Sequence, residues 1–154
     1  MSWEIAYNHL KERGYDDRAI QFEVSSATVA LAAEALGCEP AHIAKTLSFE
    51  KGDCCILVVA AGDRKVDNHL FKEKFGMKAK MLSAEKVSAL IGHAVGGVCP
   101  FGVTCPVYLD ESLKRFETVY PACGTASSAV RLTPEELYEL SGAAEWVNVT
   151  KSYE

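Results

Sequence analysis

No apolar run in this chain reaches the roughly 18–20 residues that a helix needs to cross a bilayer. The opening MSWEIAYNHLKERG also lacks the basic-then-apolar layout of a secretory signal, so a cytoplasmic protein with no membrane partner is expected. Cysteines are present at 38, 54, 55, 99, 105 and 123, but no C-x-x-C pair occurs among them, and neither a zinc site nor a disulfide framework is supported. The strings G-x-S-x-G and H-E-x-x-H and a Walker loop are missing as well, which disfavours a serine or zinc hydrolase. His9, His42, His69 and His93 are scattered without metal-ligand spacing and read as surface or capping residues, His93 alone lying close to a glycine loop. No metal or cofactor is expected. A net positive charge is lacking too. The formal charge is −5 and the pI about 5.4, which argues against an extensive grip on a nucleic-acid backbone.

What is present suits one domain over residues 1–154. The chain has 154 residues with 49% hydrophobic content, enough for one core and too little for two ordinary domains. Helices are predicted from Ser2 to Gly14, over 28–36 with a stop at Gly37, over 66–75 with a stop at Gly76, from Ser83 onward, and over 134–140. The last has the clearest signal: Thr133 as cap, Pro134 in the first turn and Glu136 completing a capping box. Strands are predicted around Ile20, Phe22 and Val24, over 44–49 and 54–61 as a hairpin, over 78–82, 104–109, 118–120 and 129–132, with 146–149 closing the sheet. Strands and helices interleave irregularly, without a repeat, which favours α+β over a doubly wound sheet.

Two features read as chemistry. GGVCPFG at 96–102 follows an apolar helix, and its glycines allow close backbone approach while Pro100 fixes the turn, so Gly96 and Gly97 can aim amides at a ligand oxygen. Lys45 stands alone at the start of a strand, between Ala44 and Thr46-Leu47. A second small-residue loop spans 124–128. The cysteines at 54 and 55 fall in an apolar strand, where at least one reads as a small buried hydrophobe, whereas Cys99 lies inside the candidate loop, where nucleophilic use would require a lowered pKa. Lys65, Lys72, Lys74, Lys78, Lys80 and Lys86 concentrate basic charge in one stretch, readable as a solvated helix face or as a local patch.

Four strings, AKTL at 44–47, AGDRKVD at 61–67, VGGVCPFG at 95–102 and GTASSAV at 124–130, stand in the order and spacing of a known family. The chain resembles the YbaK/EbsC family, the prolyl-tRNA-synthetase-associated editing domains, over nearly its whole length. The resemblance implies a curved mixed β-sheet or barrel surrounded by helices. It implies hydrolysis of mischarged aminoacyl-tRNA gripped at its acceptor end, with prolyl-tRNA synthetase as a candidate partner. Under it, Lys45, Gly96 and Gly97 are the catalytic candidates; Phe22, Thr46, Val98, Cys99, Pro100, Phe101, Gly102, Gly124, Ser127 and Ser128 are the substrate-binding candidates. From the residues alone, Phe22 sits on one face with Ile20 and Val24 and reads as core, and Asp67 reads as a helix cap. The cysteine-editing branch carries a glycine-basic-glycine loop followed by an acid; GTASSA at 124–129 has neither, which leaves the amino acid open. The alternative expectation is a non-catalytic module that binds an aminoacyl end or a free amino acid and regulates a partner.

Overall fold

A computed structural model describes residues 2–22, 28–91, 98–125 and 127–152. The longest apolar run builds the middle of the sheet. Strand β3 (Cys54–Ala61) is buried from Cys55 to Ala61, with Ile56 and Val58 in one hydrophobic cluster and Leu57, Val59 and Ala61 in the other, as strand alternation requires. It forms a hairpin with β2 (Ile43–Lys51), in register from Ala44 opposite Ala61 to Lys51 opposite Cys54. On its other side β3 pairs in parallel with β5 (Val107–Asp110), which pairs in parallel with β8 (Glu145–Val147). The short β6 (Tyr120–Pro121) borders β2, giving the order β6-β2-β3-β5-β8 in a curled half-barrel. The class is α+β, as the irregular interleaving of elements suggests.

Two antiparallel ribbons flank this sheet: β1 (Ala19–Gln21) with β7 (Ser128–Val130), and β4 (Arg64–Val66) with β9 (Thr150–Ser152). The second ribbon was not foreseen, because two three-residue strands so far apart in sequence carry no periodicity.

The helices cover the two faces. Helix α1 (Ser2–Glu12) buries Ala6 and Leu10 in the larger cluster. Helix α2 (Val29–Leu36) starts where the Thr28 side chain accepts the Leu31 amide, 3.1 Å away, and stops at the left-handed Gly37. Helix α3 (Asn68–Phe75) puts Phe71 on Phe49 and is capped by Asp67, whose Oδ1 accepts the Leu70 amide at 3.0 Å. Helix α4 (Ala84–Ile91) buries Val87 and Ile91, and α5 (Pro134–Ser141) carries the full capping box of Thr133 and Glu136. The segment 78–82 is not the strand expected: it touches the sheet through one bridge, Met81 opposite Phe49.

Asp110 ties the end of β5 to the last ribbon. Its buried carboxylate accepts the Val149 amide at 2.9 Å, the Ser112 amide at 3.0 Å and the Thr150 hydroxyl at 2.7 Å. Ser112 Oγ in turn accepts the Ala61 amide at 3.2 Å. Each acceptor there has a donor, which is the condition for burying a charged group at acceptable cost.

Candidate functional site

Among the described residues, strand β2 is paired along its outer edge in two places and has no backbone partner between them. β6 pairs with it only at Ile43 and Ala44. Farther along, the Glu50 amide donates to the Lys80 carbonyl at 2.8 Å and the Leu82 amide to the Ser48 carbonyl at 3.1 Å. These bonds show that the even-numbered residues of β2 turn their backbone groups outward, so the Thr46 amide and carbonyl face the uncovered gap.

A cavity of about 360 Å³ opens at this gap. Its walls come from α2 (Val29, Ala32), β2, the segment at Met81 and Leu82, Val87 of α4, Val98, and Tyr120, Ala122, Ser128 and Ala129. Among the described lining residues Lys45 is the sole side chain with a formal charge at neutral pH, and none is a carboxylate, imidazole or thiol. Thr46 Oγ1 is buried and has no hydrogen-bond partner among the described residues. A hydroxyl left in that state costs on the order of 1–3 kcal/mol unless a ligand satisfies it.

The string at 61–67 builds the mount for Lys45. The Lys45 ammonium donates to the Arg64 carbonyl oxygen. Arg64 is itself fixed by its guanidinium, which donates to Thr150 Oγ1 at 3.2 Å and to the Thr150 carbonyl at 3.0 Å. Asp63 holds Arg115 through two contacts of 3.0 and 2.6 Å, and that guanidinium keeps the Asp63 carboxyl below its ordinary pKa. Gly62 has a steric reason: a Cβ there would lie 2.1 Å from the Pro40 carbonyl oxygen and 2.7 Å from Val29 Cγ1, which forms the cavity's α2 wall. The string therefore positions an acceptor for the lysine and lets the α2 wall of the cavity approach.

Ser128 organises the opposite side. Its Oγ accepts the Cys123 amide at 3.1 Å and the Thr125 amide at 3.3 Å, and it donates to the Thr125 carbonyl at 3.1 Å while lining the cavity. Ser127 does not line the cavity; its carbonyl accepts the Phe22 amide at 2.7 Å, which fastens β1 to this loop.

Of the residues singled out from sequence, Lys45, Thr46, Val98 and Ser128 share the cavity. Gly96 and Gly97 lie outside the described residues, as does His93. Phe22, Gly124 and Gly102 are not among its walls; Gly102 instead packs beside Ile5 of α1. The side chains of Cys99 and Phe101 have no exposed surface and belong to the larger core, with Pro100 buried beside them, so these residues can reach a ligand only through their backbone. The amides of Phe101 and Gly124 both donate to the Cys99 sulfur, joining the two small-residue loops, while burial pushes the Cys99 thiol well above its ordinary pKa. A buried thiol that resists ionisation is no nucleophile. Sequence missed Val29, Ala32, Met81, Tyr120 and Ala122, whose place in the wall depends on which distant segments close the β2 edge.

Residues 23–140 match the family model of the aminoacyl-tRNA editing domain. The chain is 49% identical over 157 residues to the uncharacterized protein YwhH of Bacillus subtilis (strain 168), covering 100% of both. It is 32% identical over 119 residues to a proline–tRNA ligase of Shouchella clausii (strain KSM-K16), which takes in 74% of this chain and 21% of that enzyme. A solved structure described as a candidate trans-editing enzyme for prolyl tRNA synthetase superposes with a TM-score of 0.88 at 30% identity, covering 98% of each chain.

Proposed function

Because this chain belongs to the aminoacyl-tRNA editing domain family, we propose that it is a trans-editing deacylase. Its substrate is a mischarged aminoacyl-tRNA, of the proline type, presented at its acceptor end. The observation that carries this reading is the orphaned Thr46 hydroxyl beside Lys45 in a cavity whose other walls are largely apolar. Such a site offers one cation and a few hydroxyl and backbone groups for orientation, with small side chains setting the room for an amino acid.

The chemistry is hydrolysis of the ester between the amino acid and the terminal ribose. Water adds to the carbonyl carbon, the carbonyl oxygen takes negative charge, and the bond to the ribose oxygen then breaks; the proton lost by the water ends on that leaving oxygen. Lys45 faces the developing oxyanion, and the amides of Gly96 and Gly97 are assigned to the same oxygen. Thr46 orients the aminoacyl group, and Ser128, its hydroxyl committed to Cys123 and Thr125, shapes the loop beside it. No described lining residue is a ready general base, which suits catalysis by positioning, with a substrate hydroxyl or water supplying the rest. Apolar pockets separate neighbouring sizes by only about 1–3 kcal/mol, so such a domain supplements a synthetase and does not replace its selectivity.

The test is ester hydrolysis on proline tRNA mischarged with alanine, cysteine, serine or threonine. Lys45→Ala and Gly97→Ala are each expected to lower kcat/KM by about 10²-fold or more, the usual cost of losing an oxyanion partner. Undiminished turnover in both variants overturns the site assignment. Tight binding of an uncleavable aminoacyl-adenosine with no release from any charged tRNA puts a binding module in the enzyme's place.

A further inference from the structure

A second cleft, of about 390 Å³, lies outside the cavity and is lined by Asn68, His69, Lys72, Lys78 and Ala79. The basic stretch of the sequence resolves here into two kinds of lysine. Lys74 is paired with Glu145, and Lys80 and Lys86 converge on Glu50 at 3.2 and 2.7 Å. Lys74 is matched by its own carboxylate, whereas Lys80 and Lys86 share one and keep a net charge of +1 beside the cleft. Lys72 and Lys78 are exposed, line the cleft and form no ion pair among the described residues. In a chain of net charge −5, two unpaired cations in one concavity mark a place suited to anionic oxygens.

The cleft and the cavity are joined by a single stretch of backbone. Lys78 and Ala79 line the first, and Met81 and Leu82 line the second. Between them the chain is held alongside β2 by the Lys80 and Leu82 backbone bonds to Glu50 and Ser48. Four residues on from Lys78, Leu82 lies at most about 13 Å away along the chain. A stacked strand rises about 3.4 Å per nucleotide, so the two sites are within reach of a strand of roughly four nucleotides. Met81, 56% exposed at the junction, presents a polarizable thioether against which a base can pack.

We propose that the 3′-terminal strand of an RNA leaves the cavity over Met81 and lays its phosphates on Lys78 and Lys72. The proposal rests on the editing reading of the cavity and adds the route of the polynucleotide. It also reconciles an acidic protein with an RNA substrate, since two phosphate contacts need only a local patch.

The test uses the full chain and a Lys72→Gln/Lys78→Gln double variant. Affinity for uncharged proline tRNA is measured across a salt series, and hydrolysis is measured on both mischarged tRNA and an aminoacyl-adenosine ester. Each single-strand phosphate contact contributes about 0.7 to the slope of log affinity against log salt, so the double variant should lose about 1.4. Its KM for mischarged tRNA should rise roughly tenfold, with kcat and turnover of the short ester unchanged. An unchanged slope and unchanged KM overturn the route, as does an equal loss on the short ester, which would place the lysines' effect inside the cavity. If the unsubstituted protein hydrolyses neither ester, the editing reading falls, while the salt slope still decides whether RNA lies on these lysines.

Discussion

Two buried polar groups, the Asp110 carboxylate and the Thr46 hydroxyl, are treated in opposite ways by the same fold. Asp110 sits where β5, the Glu111–Arg115 turn and the last ribbon converge, and it meets three donors. Thr46 sits where the β2 edge is left uncovered between β6 and Leu82, and its oxygen meets none among the described residues. The first arrangement is what stability alone would select. The second costs stability without a return among the described residues, and this is the observation on which the proposed aminoacyl site rests.

The largest expected effect lies on the satisfied side. Asp110→Ala strands the Val149 and Ser112 amides and the Thr150 hydroxyl, and should destabilise the protein by about 3 kcal/mol or more, read as a fall in the denaturant midpoint at constant slope. Thr46→Val keeps shape and removes the orphan. It should leave stability equal or raise it by up to about 1 kcal/mol, while deacylation slows by roughly tenfold. A loss of stability in this variant would mean that the hydroxyl already has an internal partner, and the contrast with Asp110 would vanish.

A smaller effect belongs to the surface. Glu136 pays a burial cost that raises its pKa, but the Thr133 amide and Arg18 outweigh it and hold the carboxyl below its ordinary value. Its unfolded value is about 4.3. The stabilisation is therefore complete above that pH and is lost as pH falls through the lower folded value. For a pair this accessible, with contacts of 2.9 and 3.2 Å, the contribution is about 0.5 kcal/mol. Arg18→Gln should lower stability by that amount at pH 7 and lose its effect at acid pH, without changing deacylation.

The parts of this molecule legible in sequence were those with local causes. The capping box at Thr133 and Glu136, the Asp67 cap and the apolar β3 run each follow from a few neighbouring residues. Lys45 was picked out by its motif. The reason it is held in place lies in Arg64 and Thr150, brought together by a ribbon whose strands are too short to announce themselves. The burial of the Cys99 and Phe101 side chains is hidden from sequence for a related reason. A glycine-and-proline loop suggests exposure, yet here its side chains fill the core and the Cys99 sulfur joins two loops. The gap at Thr46 was invisible because an uncovered edge is defined by where two distant segments stop.

The most direct measurement is a ¹⁵N-detected titration of the protein with an uncleavable, amide-linked alanyl-adenosine. Shifts should concentrate at the Thr46 and Ser128 amides and in the segment through Met81 and Leu82, and Lys45→Ala should weaken the binding. Binding that leaves the Thr46 amide unmoved, with shifts on another face of the sheet, would contradict the assignment of the uncovered β2 edge as the aminoacyl site.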